Sequence, residues 1–302
     1  EVIASRCNRM DTISVRQVAR TARSLLRAHH IDLVGIGDVR HRIKVVPHKE
    51  IALMRLDGLG GTVTLLDQAT KVHRITGTPV TLITRGYEPL LSSHPAVKSV
   101  RNVGSVDWFQ VLGLLKDSYR ALADIRLAVG KWYGKPPVKG IHDWDEYYHC
   151  FPLRTIELDR LGLHQVQLAD RTLGLSYDTI ESYLYTEGEA PKEGSGYILV
   201  STGVDAMHEG RSQTKQWAHW DAAMMPYLKD TVQVGSRFDT PIVGARNLCG
   251  KTNLLQLVGL VRSARVVLCC EGGLMHLAYA CKHPRTIVLS GPTRGKLFEY
   301  PS

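Results

Sequence analysis

The feature that most constrains the fold is an alternation of apolar runs with amphipathic stretches, which occurs twice along the chain. In its first occurrence, Ile51–Met54 predicts a buried strand, Gly58–Gly61 a turn, Thr62–Ile75 a helix and Pro79–Ile83 the next strand. Strands and helices that alternate in this way form a parallel sheet that the helices cover. The chain is therefore predicted to be an α/β protein.

The alternation begins again after a polar, glycine-rich stretch. Tyr197–Val200 predicts a strand, while Leu254–Ser263 and Arg265–Cys270 predict a helix and the strand that follows it. A chain of 302 residues is long enough for two ordinary domains. We therefore predict two Rossmann-like domains that face a cleft. The predicted parts are a basic extension (1–48), a first domain (49–186), a linker (187–196) and a second domain (197–302).

The charge of the chain favours a polyanionic partner. The formal net charge is +9, and residues 1–50 alone supply +5 of it, with ten Lys or Arg against five Asp or Glu. This segment also predicts an amphipathic helix, because apolar residues recur at helical spacing from Val15 to Leu26. Such a helix could dock on a membrane, a nucleic acid or a larger assembly, or it could pack on the neighbouring domain.

The six cysteines do not predict a metal site. No two of them form a Cys-x-x-Cys pair, and Cys269 and Cys270 lie in an apolar run. We expect reduced, buried thiols in a cytosol-like compartment and no metal. The expected location is the cytoplasm, with peripheral attachment to the inner membrane face or an organellar location as alternatives.

The segment with the clearest chemistry is a strand that runs through an acid and two glycines into a helix. Backbone N–H groups and the positive dipole end of a helix bind phosphate, and glycine lets a ligand approach the backbone closely. Open α/β sheets also bind their ligands at the carboxyl ends of strands. The residues of this predicted phosphate site are Glu271, Gly272, Gly273, Leu274, Met275 and His276.

Several motifs together resemble glycosyltransferase family 9, the ADP-heptose:lipopolysaccharide heptosyltransferases. Glu271–Ala278 and then Gly291–Thr293 resemble the family's Asp-Thr-Gly-Pro-Met-His-Leu-Ala and Gly-Pro-Thr. Gly250–Leu254 is similar to its Gly-Lys-Thr-Ser-Leu, and Lys215–Trp217 to its Lys-x-Trp. Arg55–Gly61 is similar to its N-terminal Arg-Leu-Asp-x-Ile-Gly-Asp. The resemblance covers residues 50–300 and implies the GT-B fold.

The resemblance also implies roles for the donor-side residues. The backbone at Gly272–Leu274 and the side chain of Lys215 would hold a diphosphate, and Glu271 would bond hydroxyls of the donor sugar. His276 would either touch phosphate or cap the site from within the helix. Enzymes of this family are inverting transferases that use no metal and no cofactor, since the nucleotide sugar is their substrate. An anionic glycan is the implied acceptor.

The acceptor-side turn departs from the family pattern at the general base. Where the family has Gly-Asp, with the aspartate as proposed base, this chain has Gly60 and Gly61, and glycine cannot accept a proton. Asp57 is the nearest carboxylate and a candidate substitute base, although a turn-capping role is equally consistent with its position. Asp38 also follows a glycine, but the residues after it lack the family's helix pattern. Arg55 and Gly58 complete the predicted turn.

Three functions remain open on the sequence alone. The first is a glycosyltransferase that transfers a heptose-like sugar to a glycan with inversion, from the ADP-linked donor that the resemblance implies. The second is an inactive descendant of the family that serves as a structural or interaction subunit. The third is a glycosyltransferase that acts on nucleic acid or protein, which would account for the positive charge. The departure at Gly61 favours the second, and Lys215 with the Glu271–His276 turn favours the other two.

Overall fold

A computed structural model of the chain divides it into two compact units, residues 1–45 and 46–302. The first unit lies outside the described residues, as do the predicted amphipathic helix and Asp38. All elements below belong to the second unit. The structure describes residues 50–126, 128–140, 162–203 and 217–290, together with Phe298 and Tyr300.

The first half of the second unit forms a five-stranded sheet with the order β3-β2-β1-β4-β5. Strands β1 to β4 are parallel, whereas β5 pairs with β4 in the antiparallel sense. The central strand β1 is buried along its whole length, as its apolar sequence predicts. The elements of this half are β1 (Ile51–Met54), α1 (Leu59–Thr76), β2 (Val80–Thr84), α2 (Glu88–Leu91), β3 (Val97–Asn102), α3 (Trp108–Leu115), β4 (Ala121–Arg126), β5 (Val129–Gly134) and α4 (Gln165–Leu173).

The second half forms another five-stranded sheet, with the order β10-β9-β6-β7-β8 and only parallel pairs. The two sheets confirm the predicted α/β class with two Rossmann-like halves. The elements of this half are β6 (Ile198–Ser201), α5 (Trp220–Met224), a 3-10 helix (Met225–Asp230), β7 (Thr231–Gln233), β8 (Arg246–Asn247), α6 (Leu254–Ser263), β9 (Val266–Cys270), α7 (Gly273–Ala280) and β10 (Thr286–Leu289).

The strand orders locate the ligand-binding edge of each half. In the first sheet the chain moves outward from β1 to β2 and β3, and then returns to the other side of β1 as β4. In the second sheet β6 and β9 have the same relation. The order of an open parallel sheet reverses at such a point, and ligands bind there, outside the carboxyl ends of the strands. The predicted donor and acceptor turns follow β9 and β1 respectively, so both lie at a switch point.

Some predicted elements were wrong in their bounds. Helix α1 begins at Leu59 rather than Thr62, so two glycines of the predicted turn lie within its first turn. The glycine, proline and lysine content of residues 131–140 predicts a loop, but residues 131–134 belong to β5, where they form a hydrogen-bonded ladder with β4. The sequence of residues 217–228 predicts one helix, which in the structure is α5 followed by a 3-10 helix, because Pro226 interrupts it. Helix α4 was not predicted.

Helices α1 and α7 connect the two halves of the unit by direct packing. The predicted linker, residues 187–196, contains no helix or strand. Its Glu189 carbonyl lies against Gly259 of α6, where any larger side chain would collide with it. The domain boundaries stay a prediction.

Four of the cysteines fall in the described part of the chain, and all four are free thiols (Cys249, Cys269, Cys270 and Cys281). Burial raises the pKa of Cys249 and Cys281 to about 11 and that of Cys269 to about 12, so these three are protonated at neutral pH. No cluster of His, Cys, Asp and Glu in the described part could hold a metal ion. No helix there is both long and apolar enough to cross a membrane.

Candidate functional site

The donor-side turn has the geometry that a phosphate site requires. Strand β9 ends at Cys270, and the backbone N–H of Glu271 donates to the Leu289 carbonyl of β10 at 3.2 Å. Helix α7 then begins at Gly273 without a side-chain cap, and no acidic residue lies in its first turn. The N–H groups of that turn therefore keep their capacity to bind an anion. Glu271 is 4% exposed at the carboxyl end of β9.

The first turns of α1 and α7 approach each other closely at glycine positions. A Cβ added to Gly273 would lie 3.3 Å from the Leu59 Cβ, and one added to Gly60 would collide with the His276 ring. Helix α1 also begins without a side-chain cap, at Gly58. These glycines therefore allow the N-termini of α1 and α7 to pack against each other. From the sequence, glycine was expected only to let a ligand approach the backbone.

His276 is 5% exposed in the first turn of α7, and both of its ring nitrogens have side-chain partners. Its Nδ1 lies 2.5 Å from the Tyr300 hydroxyl, and its Nε2 lies 3.3 Å from Nε2 of Gln165. The structure thus directs the ring between α1 and α4. The predicted phosphate contact of His276 stays a prediction. The neighbouring Leu274 and Met275 are buried in the core.

The acceptor-side turn contains an ion pair between Arg55 and Asp57. Nε of Arg55 donates to Oδ2 of Asp57 at 2.8 Å, and the Asp57 side chain is 36% exposed. Arg55 itself is 2% exposed, and its two terminal nitrogens donate to Thr64 at 2.9 Å and Gln165 at 3.3 Å. The arginine is fixed by three partners, so it holds Asp57 in one orientation.

The space beside Gly61 is filled by this ion pair. A Cβ at position 61 would lie 2.6 Å from the Asp57 Cβ, 2.7 Å from Arg55 Nε and 2.8 Å from Asp57 Oδ2. The Asp57 carboxylate therefore occupies the place in which a side chain at position 61 would begin. This geometry is consistent with a substitute base at Asp57, and it explains why position 61 is glycine in this chain.

Two further carboxylates lie near the strands that carry the site, and neither was predicted as a site residue. Asp124, within β4, accepts from Trp108 Nε1 at 2.7 Å and pairs with Arg126 at 2.9 Å. Burial raises the pKa of Asp124, and the nearby Asp57 carboxylate raises it further. Asp239 follows β7 and contacts Gly203 and Gly235 so closely that neither position could carry a Cβ. Asp124 lies inside an apolar run and Asp239 in a polar loop, so no local motif marked either acid as a site residue.

The N-cap of α4 is His164, which directly precedes Gln165, the residue that accepts from Arg55. Its Nδ1 accepts from the Val166 N–H at 3.2 Å, and its ring lies 4.4 Å from the Tyr300 ring. Burial, with a smaller contribution from the positive charge of Arg55, outweighs a backbone hydrogen bond at Phe298 and lowers the pKa of His164 from 6.5 to about 3. His164 is therefore neutral in the folded protein at physiological pH.

The protein should lose stability in mild acid because of His164. Since the pKa of His164 is about 6.5 unfolded and about 3 folded, the unfolded state binds the extra proton between these values. Its contribution is complete above pH 6.5, and below it the free energy of unfolding should fall by about 1.4 kcal/mol per pH unit. His164→Asn keeps an N-cap and removes the titration. When the free energy of unfolding, measured with urea, is plotted against pH from 6.5 to 4, the plot for this variant should therefore be less steep by that amount. An unchanged slope would contradict the assignment.

Part of the predicted site lies outside the described residues. This applies to Lys215 and to the Gly-Pro-Thr segment at Gly291–Thr293. Among the described site residues, the structure brings the turn after β1 and the first turn of α7 into contact through Gly60 and His276. Lys251, in the segment similar to Gly-Lys-Thr-Ser-Leu, donates to the Asn247 carbonyl at 3.0 Å.

Comparison with solved structures shows the same fold in glycosyltransferases. The iron-containing heptosyltransferase TibC from enterotoxigenic E. coli, in complex with ADP-D-β-D-heptose, has a TM-score of 0.54 at 15% identity. The match covers 84% of this chain and 60% of TibC. A family 9 glycosyltransferase from Veillonella parvula has a TM-score of 0.56 at 14% identity, with 85% of each chain covered. E. coli ADP-heptose LPS heptosyltransferase II has a TM-score of 0.55 at 16% identity. The match covers 82% of this chain and 86% of that one.

These likenesses show a GT-B type of α/β fold. No curated protein matches the sequence. The model of glycosyltransferase family 9 (heptosyltransferase) matches residues 233–300, which include the turn at Glu271–His276. The resemblance drawn from the motifs is thereby confirmed, and residues 233–300 carry the signature of glycosyltransferase family 9.

Proposed function

We propose that this chain transfers a heptose-like sugar from a nucleoside diphosphate donor, ADP-linked, to a glycan hydroxyl with inversion. The observation that carries the proposal is the uncapped N-terminus of α7 beside the Arg55–Asp57 pair, where α1 and α7 meet. An uncapped helix N-terminus and a partly exposed carboxylate are thus adjacent. Support for an ADP-heptose donor comes from TibC, whose structure contains ADP-D-β-D-heptose.

In the proposed reaction Asp57 removes the proton from the acceptor hydroxyl. The acceptor oxygen attacks the anomeric carbon of the donor sugar, and the bond from that carbon to the diphosphate oxygen breaks. Attack from the face opposite the leaving group inverts the anomeric configuration. The leaving diphosphate carries away the bonding electron pair, and the N–H groups of α7 stabilise its charge together with Lys215.

The structure of the Asp57 side chain suits this role. Arg55 bonds its Oδ2, and within the described part of the chain Oδ1 has no bonded partner. The carboxylate is therefore oriented by one oxygen and able to accept a proton at the other. An anionic glycan is the proposed acceptor, since the net charge of +9 would attract one. A cytoplasmic location, at the inner membrane face, is part of the same proposal.

Binding of ADP is the first test of this function. A ligand at 100 times its dissociation constant should raise the free energy of unfolding by about 2.7 kcal/mol, which a thermal unfolding scan detects. Lys215→Ala should weaken ADP binding, whereas Lys116→Ala, an exposed lysine at the end of α3, should leave it unchanged. No stabilisation by ADP, UDP or their sugar conjugates would refute the proposed function. Binding without turnover of any donor would identify an inactive descendant of the family.

A further inference from the structure

A continuous series of side-chain hydrogen bonds connects the donor-side helix with the candidate base. It runs from Tyr300 to His276 at 2.5 Å, from His276 to Gln165 at 3.3 Å, from Gln165 to Arg55 at 3.3 Å, and from Arg55 to Asp57 at 2.8 Å. We call these five residues the relay. Its central member, Gln165, is 2% exposed at the first position of α4 and contacts both halves of the unit.

The donors and acceptors in the relay fix the protonation of His276. The Arg55 guanidinium has only donors, so the Gln165 atom that faces it must be the carbonyl Oε1. The amide nitrogen of Gln165 then faces Nε2 of His276 as a donor. Nε2 must therefore accept, which leaves the ring proton on Nδ1, where it is donated to the Tyr300 oxygen. The four hydrogen bonds of the relay are all satisfied only when His276 is neutral in this tautomer.

We propose that Gln165 is a positioning residue that holds His276 as the neutral Nδ1-protonated tautomer and steadies Arg55 against Asp57. The catalytic part of this inference rests on the proposed function, whereas the tautomer does not. Gln165 is buried and acts through its two neighbours, Arg55 and His276. It joins the first turn of α7, where the diphosphate binds, to the carboxylate that accepts the proton. An amide suits this position because it accepts on one side and donates on the other.

The tautomer is tested by NMR of protein labelled with ¹⁵N-histidine, using His276→Gln to assign the signals. Wild-type protein should show the His276 proton on Nδ1. Gln165→Glu places an acceptor beside Nε2, so the proton should be found on Nε2 in that variant. A wild-type proton on Nε2, or the wild-type tautomer in Gln165→Glu, would overturn the inference. The wild-type spectrum alone is decisive where the variant does not fold.

The positioning role is tested by kinetics in the same proteins. Both Gln165→Glu and Gln165→Met, which keeps the length and removes the hydrogen bonds, should lower kcat about 10²-fold. The KM for the donor should change much less, since Gln165 does not touch it. A merely structural residue would instead lower stability and leave the kcat of the folded fraction intact, and that result would overturn the positioning role. If wild-type protein transfers no sugar, the proposed function is wrong. The NMR measurement of the His276 tautomer does not depend on that result.

Discussion

Replacing Lys71 by methionine should destabilise the protein by about 3–5 kcal/mol, because the change leaves two buried acids without their cation. Nζ of Lys71 lies 2.8 Å from Asp67 and 2.6 Å from Asp170, and it donates to the Thr179 carbonyl at 2.7 Å. All three charged side chains are buried. Burial lowers the pKa of Lys71, but the two carboxylates outweigh this and raise it overall. The cation is therefore retained in the folded state.

The matched control for this prediction is Asp170→Asn. Burial, together with the neighbouring Asp67, raises the pKa of Asp170 well above its usual value, and Asp67 still pairs with Lys71 at 2.8 Å when position 170 is neutral. A neutral asparagine of the same size should therefore cost only about 1 kcal/mol. Urea unfolding of the two variants measures the difference from the midpoints and slopes. Equal losses in the two variants would show that the packing of this cluster, and not its charge, stabilises the protein.

The regular part of the fold could be predicted because its pattern is local. Strands β1 and β9 were predicted from apolar runs of four to six residues, and α6 was predicted at Leu254–Ser263, the bounds that the structure gives. The donor turn was found in the same way, since a strand, an acid and two glycines are adjacent in sequence. The family match over residues 233–300 falls on this best-predicted part.

The remainder could not be predicted because it depends on partners distant in sequence. Asp67 and Lys71 are four residues apart on α1, a spacing typical of an exposed helix pair. They are buried because α4 and the segment at Thr179 lie against them. Helix α4 combines polar residues with buried apolar ones at helical spacing, at Val166, Ala169 and Leu173, so its amphipathic pattern was an available signal that the prediction missed. Gln165 and His276 are 111 residues apart. No local pattern indicates that these two side chains meet.

The largest expected effect on activity is that of Asp57→Asn, which should lower kcat for sugar transfer about 10²–10⁴-fold. Asparagine keeps the size of the side chain but cannot take up the acceptor proton. Binding of ADP should be unchanged, because Asp57 lies on the acceptor side, in the turn that follows β1. Asp107→Asn is the matched control, since Asp107 caps α3 and asparagine preserves that cap. The measurements are ADP release with a donor sugar and calorimetric ADP binding.

A second substitution separates the role of Asp57 as a base from its role in the turn. Gly61→Ala keeps the carboxylate but places a methyl group 2.6 Å from the Asp57 Cβ and 2.7 Å from Arg55 Nε, so the ion pair must shift. A base that depends on its orientation should lose activity in this variant as well, by about 10²-fold for a displacement near 1 Å. Wild-type turnover in Asp57→Asn would remove Asp57 from the mechanism. Loss in Asp57→Asn with full activity in Gly61→Ala would instead show a base that tolerates movement, and Arg55 would then have no part in orienting it.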